Sequence, residues 1–377
     1  MTTAKQADLA GPGISTYPEI EKILPDDYRP LLDAKQTQHA LHAVKRYIED
    51  HLCKELNLFH VEVPLIVSRE SGVNDYLDRD GSRTPIEFPC GLGIQPRLNG
   101  QVVQAATKWK RLALREFDCK VGEGICTDMR AVRKDYFLDH DHSAYVDQWD
   151  WEKVITAEQR TLSTLKDTVR RIWKVIKGAE TFIHAEFPQL RDPRFPALPD
   201  ELTFIHAEDL LAMYPDLPRK QRETRVLSEK HAAVFIIGIG WVLKDGYPHE
   251  MRAADYDDWV TPTVSDDGRP MHGLNGDILV WNPVTKRRHE LTSMGVRVTK
   301  ETLKQQLELS NQLDFLKLPY HQAILNDRIP LSIGGGIGQS RTTMLLLRKA
   351  HLGEVSVTMW PDELKRICAK KNIHVLD

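Results

Sequence analysis

The chain has 377 residues, 41% hydrophobic and 28% charged, with a formal net charge of -3; it can bury one large core or two ordinary ones, and no basic excess equips it to neutralise a polyanion, so no nucleic-acid partner is expected. The five cysteines are odd in number and form no C-x-x-C pair, so they indicate neither a disulfide framework nor a zinc site. No apolar run reaches the ~18 residues of a membrane span and the N-terminus lacks the apolar core of a signal peptide, so a cytoplasmic protein without a membrane partner is expected.

Residues 1–32 carry Gly11-Pro12-Gly13, Pro18, Pro25 and Pro30 without an apolar period, which predicts an irregular N-terminal extension. From Lys35 to Leu56 the spacing of Leu41, Val44, Ile48, Leu52 and Leu56 predicts an amphipathic helix. The β-type run His60 to Val67 is broken by Pro64, which cannot donate to a central ladder; it is either an edge or interface strand, or a strand end before a loop. Ser71 to Asp75 is turn chemistry, and Gly91 to Gly100 reads as a hairpin. In the following segment, Lys108-Trp109-Lys110-Arg111 is either a solvated helix face or a grip on an anion.

A polar loop is expected from Gly122 through Arg130 and Arg133 to His142. Ser143 to Glu152 then reads as a strand with Gln148, Asp150 and Glu152 on one side. Acids aligned so are costly to bury alone; a ligand amine or a buried arginine would satisfy them. A long packing helix is expected at about 157–182, then a proline-rich connector from Pro188 to Pro199. Ala232 to Gly240 suits a strand buried on both faces. Asp255, Asp257 and Asp258 read, on their own, as a solvated acidic loop. Asn275 to Pro283 and His289 to Val298, joined by a basic turn, form a hairpin whose Asp277 and Glu290 are candidate oxygen ligands for Mg²⁺. Finally Ser332 to Leu347 gathers four glycines within five residues, then Arg341 and an apolar run: a turn at a helix start suited to a phosphate-bearing ligand. It lacks the lysine of a P-loop and comes too late for a Rossmann fingerprint.

The string Gly336-Ile-Gly338-Gln-Ser-Arg341 with its apolar helix resembles motif 3 of class II aminoacyl-tRNA synthetases; Pro64 and Arg133 resemble their motifs 1 and 2. More specifically K-W-K-R, S-A-Y-V-D-Q-W-D-W-E, D-Y-D-D-W, L-N-G-D-I-L-V-W-N-P and G-G-G-I-G-Q-S-R together resemble the ammonia-dependent asparagine synthetases, or aspartate–ammonia ligases. The resemblance implies an α+β fold, a class II synthetase-like catalytic domain over 33–361 with a mainly antiparallel mixed sheet flanked by helices, a C-terminal tail over 362–377, and a homodimer through the Pro64 region. It implies that aspartate attacks the α-phosphorus of ATP with Mg²⁺, and that ammonia displaces AMP from β-aspartyl adenylate. Residue by residue it implies Arg133 on the α-phosphate and reacting carboxylate, Arg341 with Gly336 and Gly338 on the nucleotide, and Asp277 and Glu290 on the metal. Asp150 and Asp257 fall to the substrate's α-ammonium, Lys110 to its α-carboxylate, Gln148 and Ser293 to polar contacts around the substrate or adenylate, and Asp75 to the incoming ammonia.

One departure is that Ala105 stands where the family has a serine, removing one hydrogen bond, about 1 kcal/mol of binding. An aspartyl- or asparaginyl-tRNA synthetase would share the adenylation, but the ~32 residues before the core are too few for the anticodon-binding OB-fold of ~100 residues expected of it. A non-catalytic paralogue is countered by the presence of Arg133, Glu290 and Arg341, and a glutamine-using enzyme by Thr2 where an N-terminal nucleophile would be needed.

Overall fold

The computed structural model describes residues 15–75 and 83–377. Its centre is an eight-stranded sheet in the order β1 (Leu58–His60), β5 (Gly124–Val132), β6 (Tyr145–Val154), β13 (Ser332–Gly338), β12 (Arg287–Val296), β11 (Asn275–Asn282), β8 (Ala233–Ile237) and β7 (Thr203–His206). Only the two outer pairs, β1 with β5 and β7 with β8, run parallel; the rest is antiparallel, the mixed sheet that the family resemblance implies. Small sheets of β2 (Ile66–Ser68), β3 (Glu87–Cys90) and β4 (Leu98–Val102), and of β9 (Pro262–Val264) and β10 (Pro270–His272), flank it.

One face of the sheet is covered by the helices Ala34–Leu56 and Leu162–Glu186, whose buried Val44, Ile48, Leu52, Val169, Ile172 and Ile176 meet Trp149, Trp151, Met294, Ile333 and Ile337 from the strands. The first helix is as the spacing predicts; Asp33 caps it by accepting the Gln36 N–H at 2.8 Å. The second starts later than expected, because Thr161 caps it by accepting the Thr164 N–H.

Four other expectations are corrected. Gly124 to Val132 is strand rather than loop: it pairs with β6 along its whole length, and Asp128 and Arg130 alternate with buried Thr127, Met129 and Ala131. The residues before 33 are not irregular throughout. Tyr17–Ile23 is a helix, and Ile20, Leu24, Tyr28 and Leu32 lie buried in the main core. The residues after 361 likewise form the helix Asp362–Lys370, with Leu364, Ile367 and Cys368 in the same core. The glycine-rich stretch is strand β13, its backbone paired with β6 on one side and β12 on the other, so its N–H groups are not gathered at a turn.

Because Ile20 is fully buried in the main core, Ile20→Ala should lower unfolding stability by about 2–5 kcal/mol in urea titrations. An unchanged midpoint would mean that the segment is a mere appendage.

Candidate active site

Cross-strand pairing sets the site. Thr127 pairs with Asp150, Asp150 with Gly336, Gly336 with Ser293, and Ser293 with Asp277. Directly paired residues of antiparallel strands point to the same side, so these five lie in one row across the sheet face opposite the long helices. With strands about 4.8 Å apart, Asp150 and Asp277 stand about 14 Å from one another along that row.

The glycines make room for it. A Cβ on Gly334 would fall 1.9 Å from Glu152 Oε2, and one on Gly336 would fall 2.7 Å from Gln148 Oε1 and 3.1 Å from Asp150 Oδ1. Any larger residue would displace the β6 side chains.

At the β6 end the acids are buried and paired. Arg297 holds Glu152 through Nε and Nη2, at 3.0 and 2.8 Å, and Asp257 through Nη1 at 2.5 Å. Burial alone would raise the Glu152 pKa, but Arg297 outweighs it and holds the group below its ordinary value. Arg297 is thus the buried arginine that the aligned acids required. Lys110 is wholly buried, and its ammonium donates to Asp150 Oδ1 at 2.5 Å, Trp151 O at 3.0 Å and Gly335 O at 3.1 Å. All three of its protons have acceptors in the protein, so the expected contact of Lys110 with a substrate carboxylate is corrected: it holds Asp150 from below. Asp150 Oδ2 remains buried without a hydrogen-bond partner, and Gln148 lies beside it over Gly336. Asp257 faces two guanidiniums, Arg297 and, at 3.6 Å, Arg252. This leaves it less suited to an ammonium than expected, and the acidic loop that reads as solvated is buried.

The helix Thr107–Glu116, which carries K-W-K-R, buries all three of its first cations. Lys108 meets Asp255 at 2.8 Å, and His321 meets the same carboxylate at 2.9 Å. Asp75 is no simple turn former: it is buried, its Oδ2 accepts the Thr107 N–H at 2.8 Å, and its Oδ1 has no hydrogen-bond partner. Burial pushes its pKa to about 6, against the pull of Lys108. Beside it Gln104 donates to Asp75 O at 3.1 Å, and Gln104 O accepts from Arg133 Nε at 2.9 Å. No hydrogen bond or ion pair to a described residue engages the two outer nitrogens of Arg133.

At the other end of the row, Asp277, Glu290 and Glu250 bring one oxygen each within 4.8 Å of one another. Arg252 bridges Asp277, at 2.6 Å, and Ser293 Oγ, at 2.8 Å. Burial, against Arg252 and with Glu290 and Glu250, raises Asp277 to about 7. Asp277 already meets Arg252, and Glu250 meets Lys220 at 2.8 Å; the all-oxygen set is of the kind that suits Mg²⁺. Arg341 stands 3.7 Å from Glu290. At Gly338, at the strand end, a Cβ would meet only ordinary contacts, Arg341 Cβ at 3.5 Å and Leu291 O at 3.6 Å. Sequence reasoning missed Glu250, Arg252 and Arg297. Only Arg297 left a trace, in the unpaired acids of β6.

This sheet, with its antiparallel core and its acids and arginines on one face, is the catalytic fold of the class II aminoacyl-tRNA synthetases. The asparaginyl-tRNA synthetase of Pyrococcus horikoshii, solved with asparaginyl-adenylate, superposes with a TM-score of 0.61 at 14% identity, over 86% of this chain and 68% of that one. The aspartyl-tRNA synthetase of Entamoeba histolytica gives 0.53 at 15%, over 83% of this chain and 57% of that one. The particular family is narrower: the model of the aspartate-ammonia ligase family matches residues 35–372. Proteins named aspartate–ammonia ligase from Clostridium perfringens and Bacteroides fragilis are 45% and 46% identical over 95% and 94% of the chain, and 100% and 99% of their own lengths. The chain belongs to the aspartate–ammonia ligase family.

The raised Asp75 pKa has a stability consequence. Between its ordinary 3.8 and about 6 the folded state binds more protons than the unfolded, so stability falls as pH rises through that window. Relative to Asp75→Asn, the wild type should lose roughly 2–3 kcal/mol across it in urea titrations. A pH-independent difference would contradict the burial described.

Proposed function

We propose that the chain makes L-asparagine from L-aspartate, ammonia and ATP, through β-aspartyl adenylate, with AMP and pyrophosphate as the other products. Family membership supports the overall reaction. The observation that supports the chemistry is the single row on which Asp150, Gly336, Ser293 and Asp277 lie: in this reading its two ends receive the amino acid and the nucleotide.

In this reading the free oxygen of Asp150, with Gln148, receives the substrate's α-ammonium, and Lys110 fixes Asp150 from beneath. Asp257 acts beside it, oriented by Arg297. Arg133 presents its outer nitrogens to the reacting carboxylate and the α-phosphate, where negative charge grows as the P–O bond forms. Arg341 grips the nucleotide at the far end, with the side-chain-free Gly336 and Gly338 beneath it, and Ser293, held by Arg252, contacts the substrate or adenylate. Asp277 and Glu290, joined by Glu250, would hold Mg²⁺, which when bound neutralises phosphate charge. Asp75, with a pKa of about 6 and an unpartnered oxygen, is poised to take the proton from ammonium, since only neutral ammonia attacks.

Two further readings accompany this one. The chain pairs as a homodimer around Pro64, where Phe59, Leu65 and Ile66 are exposed beside the edge strand β1. It works in the cytoplasm, in keeping with the lack, among the described residues, of any helix long and apolar enough to cross a membrane.

Incubation with aspartate, MgATP and ammonium, without tRNA, should yield asparagine and AMP in equal amounts. Formation of ADP, or no amide unless tRNA is added, would overturn the reading.

A further inference from the structure

The connection from β5 to β6 carries Asp139-His140-Asp141-His142, four residues that the ligase chemistry does not use. The side chains of Asp139, His140 and Asp141 converge, and His142 bridges the two carboxylates. His142 Nδ1 lies 3.0 Å from Asp139 Oδ1 and 2.8 Å from Asp141 Oδ1. His140 Nδ1 lies 3.8 and 3.9 Å from the same two carboxylates. The loop is fixed before any ligand arrives, because Asp139 Oδ1 accepts the N–H groups of Asp141 and His142 at 2.9 and 2.8 Å.

The telling group is His140. It is only 3% exposed, yet its Nδ1 has no hydrogen-bond partner and is aimed between two carboxylates. A buried polar atom left so normally has a partner, and an ion is one of the few that fits. Ligand atoms at tetrahedral corners around about 2.1 Å bonds stand about 3.4 Å apart. His140 Nδ1, at 3.8 and 3.9 Å from the two carboxylates, stands near that value, whereas the 2.8 and 3.0 Å of His142 are hydrogen bonds to them. Asp139, His140 and Asp141 each offer one ligand atom, all within 4.8 Å of one another.

We propose that Asp139, His140 and Asp141 form a binding site for a borderline divalent transition ion of the Zn²⁺ type, with His142 holding the two carboxylates from the outer shell. An imidazole with two carboxylates and a position left for water suits such an ion, whereas the all-oxygen group of Asp277, Glu290 and Glu250 suits Mg²⁺. The site adjoins the nucleotide end of the sheet, since Arg341 Nε donates to Asp141 O at 3.3 Å.

The test is a titration of the full chain with Co²⁺ in excess Mg²⁺, following the visible d–d absorption of tetrahedral cobalt. One Co²⁺ per chain with that absorption, displaced by Zn²⁺, is expected. Loss of even an outer-shell partner weakens metal sites about tenfold or more, so His140→Asn and His142→Asn should each weaken binding at least that much. If the buried His140→Asn chain does not fold by circular dichroism, the partly exposed His142 supplies the deciding variant. No tetrahedral absorption in the wild type, or unchanged binding in a folded variant, would overturn the proposal.

Discussion

Gly334 and Gly336 lack side chains because the acids and amide of the neighbouring strand already fill the space that a Cβ would need. Most of the molecule's chemistry follows from that close approach. It lets Gln148, Asp150 and Glu152 lie flat across the sheet face, and it forces their charges out of water. Removing one partner from such a buried pair costs about 3–5 kcal/mol, so Arg297 and Lys110 are fixed as firmly as any core leucine. The same arginine ties Glu152 of β6 to Asp257 of the loop after β8. Segments distant in sequence are thereby held at one place.

The opposite face shows the other half of the division. Trp149 and Trp151 alternate with the acids along β6 and bury themselves against the two long helices. One strand thus serves the core and the site at once, through the period of two. The N-terminal helix and the helix after residue 361 extend that core and take no part in the site.

Much of this was legible in the residues. The spacing of Val44, Ile48 and Leu52 marks the first long helix, the alternation around Asp150 marks β6, and the basic turn at 285–288 marks the hairpin of Asp277 and Glu290. The short strings of the site identify the family. What escaped did so for physical reasons. Gly124 to Val132 looks like loop because its polar residues are satisfied by pairing with a strand not yet placed. Ile20 and Leu24 are too few to show a period. Glu250 and Arg252 belong to a loop whose position is set only by contacts across the sheet. Lys110 looked like a free cation, and nothing local reveals that its acceptors come from Asp150, Trp151 and Gly335, the last 225 positions away. The glycines were noticed for their backbone N–H groups, whereas their use here lies in the missing Cβ.

The row from Asp150 to Asp277 lies on one sheet face, and in the proposed reading an aspartate bound at its Asp150 end presents its carboxylate to the α-phosphorus. The most direct measurement is the fate of ¹⁸O in aspartate labelled on its side-chain carboxylate. Attack on the α-phosphorus transfers one labelled oxygen to AMP when ammonia releases the amide, and that is the result the account predicts. Label appearing in inorganic phosphate, or AMP formed without label, would contradict it.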